Sequence, residues 1–158
     1  MSSRIETLKA GLEESRERLN HVLDAVGDRW DTQVYTEGAA WTVRQLAIHL
    51  MISDKAQTNT AIAIARGENP IPADFDLERY NRRSVEKRAD TSIADIRAGL
   101  AASFAEREAW LNTVDDAALD NQGRHGSGYI LSVAEIMQLM ADHERDHAND
   151  IAKVLNIR

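Results

Sequence analysis

The sequence contains no cysteine. Disulfides and thiolate metal sites are thereby excluded, and any nucleophilic thiol has to come from a substrate. Aromatic residues are scarce, at 5% of the chain, whereas Ala, Leu, Ile, Glu and Arg are plentiful. That balance favours helices, and no strand is evident. No apolar stretch is long enough to span a bilayer, and the amphipathic, Glu- and Arg-rich residues from Met1 to Leu23 lack the apolar core of a signal peptide. The expected location is the cytoplasm, with no membrane partner. Positive charge is not concentrated either. The formal net charge is -7 with a pI near 5.2, and the local basic patch of Arg82, Arg83, Lys87 and Arg88 is interrupted by Glu78 and Glu86. Such a surface repels a phosphate backbone, so the patch reads as a solvated helix face and nucleic acid is not an expected partner.

What is present is ordinary for a globular chain: 158 residues, 43% hydrophobic and 28% charged. The size suits one domain over residues 1–158. Apolar residues recur in steps of three and four at Ile5, Leu8 and Leu12, then after one doubled step at Leu19, Val22 and Val26, which predicts a long helix stopped at Gly27. A second helix starts at Thr42, where Thr42 and Gln45 have capping-box spacing, and carries Val43, Leu46, Leu50, Ile62 and Ile64 to near Gly67. Pro70 and Pro72 forbid its continuation. A third runs from Ser92 to about Val114 with Ile93, Ile96, Leu100, Phe104, Leu111 and Val114. The fourth begins at Ser132, capped by Glu135, and continues almost to Arg158. A short helix is expected across Asp76–Lys87. Four helices this long bury their stripes most simply as an all-α four-helix bundle, and the lengths of the connections imply one or more crossovers. Trp30, Trp41 and Trp110, at or near helix ends, read as end packing.

The fourth stripe is Ile136, Met140, His143, His147, Ile151 and Val154, with two histidines where leucines would be ordinary. At i and i+4 they project from one face with Cβ atoms about 5–6 Å apart, and nitrogens so placed can converge on one ion at about 2.0–2.1 Å. Two buried imidazoles each keep a donor and an acceptor to satisfy. Either a cation takes a lone pair from both, or both bond to side chains and carbonyls of the core. His49, one turn after Leu46 in the second helix, is a candidate third ligand whose register permits it to face the pair. Three histidines leave a metal with open positions, the catalytic pattern rather than the structural one.

His143-Glu144-Arg145-Asp146-His147 also fits H-E-x-x-H, in which the Glu of zinc metalloproteases activates water. Such proteases need a further downstream ligand and a strand at the cleft. Eleven residues follow His147 and none is His. Peptidase activity is therefore not expected. Glu144 is kept as a candidate catalytic residue, read first as a flanking carboxylate or as one that orients a ligand imidazole. Asp146 reads as solvated, with the same orienting role open to it.

Trp41-Thr42-Val43-Arg44-Gln45-Leu46-Ala47-Ile48-His49-Leu50, followed far downstream by His143-Glu144-x-x-His147, resembles the DinB-like family, as does Phe75–Lys87 with Tyr80-Asn81. The resemblance covers nearly the whole chain and implies a four-helix bundle, often a homodimer, with a divalent metal on His49, His143 and His147. It also implies thiol-dependent transferases and isomerases that use bacillithiol, mycothiol or glutathione. Zinc or nickel is the expected ion, with iron and manganese also accepted by imidazole.

The leading functional expectation is thus a metal-dependent thiol S-transferase or a related detoxifying enzyme with a small-molecule substrate. The alternatives are a metal-dependent hydrolase and a non-catalytic metal- or ligand-binding bundle. His125, in Gly123-Arg124-His125-Gly126-Ser127-Gly128, reads first as an exposed loop histidine and second as a cofactor- or substrate-binding residue over the mouth of the site. His21 beside the first stripe is assigned no role.

Overall fold

A computed structural model describes all 158 residues. Five helices form where the apolar stripes and capping residues place them. Helix α1 spans Ser3–Asp24, with the Ser2 hydroxyl accepting from the Ile5 N–H. Helix α2, Val43–Ala65, opens on the Thr42–Gln45 capping box, and Gly67, at φ 87°, takes the chain away from its end. Helix α3, Leu77–Lys87, is capped by Asp76; helix α4, Ile93–Leu111, by Ser92. Helix α5, Val133–Leu155, opens on the Ser132–Glu135 box and closes on Asn156 in the left-handed conformation. Helix α4 stops three residues before Val114, and α5 stops at Leu155. Val154, assigned to the interior stripe from the sequence, is 42% exposed, and Leu155 is buried in its place.

The expectation of no strand is corrected. Strands β1 (Gln122–Arg124) and β2 (Ile130–Ser132) pair antiparallel as a small hairpin before α5. Three-residue strands are shorter than the alternation that marks a strand in sequence. Gly123 lets this hairpin press on α2, because a Cβ there would stand 2.6 Å from Ile64 Cγ1.

In the bundle, α5 packs on α1 and α2, and α2 packs also on α4. Met51 meets Gly99 and Asp54 meets Arg107, so α2 and α4 run the same way. The connection between them must therefore return the length of the bundle, and α3 lies on that crossover. No helix is long and apolar enough to cross a membrane.

The core is split. One apolar cluster gathers Leu19, Val22, Leu46, Leu100 and Ile151; the other gathers Ile5, Leu12, Ile64, Leu111 and Ile136. Each fully buried aliphatic side chain stabilises by about 1.5–3 kcal/mol, and two such clusters offset a costly polar layer held between them. That layer holds His49, His143 and His147 along with buried Ser15, Arg16, Asp54, Thr58, Arg107 and Glu144. It is where the site forms.

Candidate metal centre

Helix α5 sets His143 and His147 one turn apart, and α2 brings His49 to them. The Nε2 atoms of His49 and His143 stand 3.4 Å apart, and those of His143 and His147 stand 3.0 Å apart. All three ligand atoms lie within 4.8 Å of one another. Two nitrogens about 2.0–2.1 Å from one ion, at right-angled to tetrahedral spacing, are separated by about 2.9–3.4 Å. The His49–His143 and His143–His147 spacings suit that geometry.

The hydrogen-bond chemistry points the same way. Tyr35 Oη lies 2.7 Å from His147 Nδ1 and 2.5 Å from Asp150 Oδ2. A carboxylate only accepts, so the phenolic proton goes to Asp150 and the Tyr35 oxygen accepts from Nδ1–H of His147. His147 Nε2 is then a bare lone pair facing its neighbours. His143 Nε2 has at most one proton to share between the two facing nitrogens when neutral. The imidazoles cannot all satisfy one another, whereas one cation accepts a lone pair from each. The donor set fits a divalent ion and can hold one.

Burial and mutual repulsion keep the imidazoles neutral, so that each ring retains one N–H and one bare nitrogen. His49 is pushed down to about 3 by burial first, then by His143 and His147. His143 is pushed down to about 4 by burial, then by His147 and His125. Burial also lowers His147, against the pull of Asp150 and Asp146. Burial, then the bond to Asp150, raises Tyr35, which keeps the phenol protonated.

Tyr35 reaches the site from the connection between α1 and α2, which is tied to the start of α2 by Val34 N–H to Trp41 O, Val43 N–H to Thr32 O and Arg44 N–H to Trp30 O. The same tie lays the Trp41 ring on His49, with centroids 4.7 Å apart. Trp41 packs against the apolar cluster, as expected of an aromatic near a helix end, and on His49 as well. Neither Tyr35 nor Asp150 was singled out in the sequence. The partners are 112 and 115 residues apart along the chain, and no local pattern links them.

Glu144 is placed elsewhere. Its hydrogen-bond partners all come from α1: Arg16 Nη2 donates to Oε1 at 2.9 Å, and Ser15 Oγ donates to Oε2 at 3.3 Å. Arg16 also donates to Leu100 O and lies 3.4 Å from Asp54 Oδ2, while Arg107 bonds Asp54 Oδ1 at 2.7 Å. The Phe104 ring lies about midway, 5.0 Å from the Arg16 guanidinium carbon and 5.2 Å from that of Arg107. Burial works against the Arg16 charge, but its bonds to Glu144 and the nearby Asp54 outweigh it and raise its pKa. The doubled step between Leu12 and Leu19 marks where Ser15 and Arg16 enter the core. A second buried stripe on α5, Met137, Ala141, Glu144 and Ala148, marks the face turned to α1. Both signals were legible in the sequence. Asp146 is exposed, as expected.

His125 is 7% exposed, which corrects the reading of an exposed loop histidine. Its Nδ1 accepts from the Ser127 N–H at 3.1 Å, so Nε2–H donates to Gln57 Oε1 at 2.8 Å. Gln57 in turn donates to Ser53 Oγ. This chain lines a cavity of about 330 Å³ whose wall also includes His49 and His143. On another side of the histidines, a cleft is lined by Trp41, Glu78, Arg82 and His147. His21 is exposed.

A sequence model described as the DinB superfamily matches residues 5–151. Among curated proteins and solved structures no match to the chain was found.

Proposed function

The chain belongs to the DinB superfamily, and from that premise we propose that it is a metal-dependent transferase joining a low-molecular-weight thiol to an electrophilic small molecule. The observation that carries this reading is the convergence of three histidines, two of which, His49 and His143, line a ligand-sized cavity. A divalent ion held there, zinc or nickel by preference, would supply a Lewis acid that favours the ionised form of a thiol. In the transfer the thiolate sulfur forms a bond to carbon, the leaving group departs with its electron pair, and the thiol proton passes to solvent. The protein's own residues do the rest. His49, His143 and His147 hold the ion, Tyr35 and Asp150 fix the tautomer of His147, and the cavity wall keeps water from the electrophile.

The place of Glu144 argues against hydrolysis of the metalloprotease kind. A carboxylate bonded to a buried arginine is a poor general base, so H-E-x-x-H does not supply water activation here. A homodimer belongs to the same proposal.

The test is to incubate zinc- or nickel-loaded protein with glutathione, bacillithiol or mycothiol and a generic electrophile. We expect thiol-dependent turnover that His143→Ala abolishes. No rate above that variant with any thiol overturns the proposal, and turnover of an ester or phosphoester without thiol replaces it with hydrolysis.

A further inference from the structure

The space around the histidines is divided by charge. Fifteen residues line the 330 Å³ cavity, and none is Asp, Glu, Lys or Arg. Its body is apolar, from Ala56, Ile71, Phe75, Leu77 and Leu139. Four of its polar residues are committed to one another. Ser127 N–H bonds His125, His125 bonds Gln57, and Gln57 bonds Ser53. Burial lowers the His125 pKa and keeps that ring neutral near pH 7. In the metal-free protein an ion entering this cavity loses its hydration and finds no counter-charge, which is costly; an apolar group gains on entry. The charged side chains Glu78 and Arg82 line the cleft on the His147 side, and Asn81 borders both spaces.

We propose that the cavity beside His49 and His143 is the subsite for the electrophile, and that it selects a compact, uncharged, largely apolar molecule. Charged co-substrates are left to the Glu78–Arg82 side. The volume lies at the low end of ligand pockets, roughly 300–1,000 Å³, so the ligand is small. Ala56, on α2 at the cavity wall, is the position where added side-chain volume fills the space from a rigid element. The identification of the ligand as an electrophile rests on the thiol-transfer reading; the selection for a neutral apolar body does not.

The test uses the full chain, metal-free and zinc-loaded, with no thiol present, and titrates nitrobenzene and benzoate by calorimetry. Nitrobenzene should bind both forms, and Ala56→Leu should weaken it by about tenfold or more. Benzoate, similar in size but anionic, should bind the metal-free form about tenfold more weakly than nitrobenzene, or less well still. Equal binding of the two probes, or nitrobenzene binding unchanged in Ala56→Leu, overturns the inference. Should that variant not fold, nuclear Overhauser effects from nitrobenzene to the Phe75 ring and Ala56 methyl in the unaltered protein decide the matter, and their absence overturns it. Probe binding without thiol turnover leaves this subsite standing and removes the transferase reading. Turnover of a neutral electrophile that is unaffected in Ala56→Leu does the reverse.

Discussion

Arg16 holds Glu144 through Nη2 and Oε1 at 2.9 Å, in a pair that is 7% and 8% exposed at the side chains. The carboxylate that a metalloprotease motif would direct at water is thereby built into the packing of α1 against α5. Its neighbours His143 and His147 lean the other way, towards α2. One short stretch of α5 therefore serves two faces, one that can bind an ion and one that binds a guanidinium.

The first prediction concerns that pair. Removing one partner of a buried ion pair leaves an uncompensated charge and typically costs about 3–5 kcal/mol. Arg16→Met should lower the midpoint of thermal unfolding far more than Glu144→Gln, which keeps a hydrogen-bonding group in place. Both variants, measured folded, should keep one metal per chain by elemental analysis. Loss of metal in folded Glu144→Gln would instead make that carboxylate part of the ion site.

Tyr35 provides the second. Groups that orient a ligand imidazole commonly change metal affinity by about 10–100-fold. Tyr35→Phe removes the acceptor for His147 Nδ1–H, and competition with a metal-binding dye should show a loss of that size. His49→Ala should cost more, since a ligand itself is lost. Equal affinity in Tyr35→Phe and the unaltered protein would mean that Asp150 or water takes over the acceptor role.

Acid should act on the metal-free protein through the histidines. His49 at about 3 and His143 at about 4 lie below the ordinary value of about 6.5. From pH 6.5 down to about 4, the unfolded chain binds more protons than the folded one, so stability is full above that window and falls as pH drops through it. Thermal melts should show the metal-free midpoint lower by about 5 °C or more at pH 5 than at pH 7, with a shallower dependence in His49→Gln. A flat profile between those two pH values would mean that the imidazoles are hydrated and not buried as described.

Gly123 yields a structural prediction. A methyl group there meets Ile64 Cγ1 at 2.6 Å, so Gly123→Ala should move the hairpin off α2. Overpacking of this kind costs about 1–3 kcal/mol. Because His125 follows two residues later, the same substitution should disturb its bond to Gln57, visible as a shift of the His125 ring signals in proton NMR. Unchanged ring signals and an unchanged melting point would show that Ile64 gives way instead.

The helices, their caps and the facing pair His143 and His147 follow from sequence alone, because apolar period, Thr42–Gln45, Ser132–Glu135 and i,i+4 spacing are all relations within a few residues. What tertiary structure decided is where distant residues meet: His49 Nε2 beside His143, the Tyr35 hydroxyl against His147, Arg16 on Glu144, and His125 folded inward over the cavity. Helical periodicity states which face of a segment is buried but not which neighbour covers it. That choice depends on how α2 and α1 share the two faces of α5, and it is settled by packing across the whole bundle.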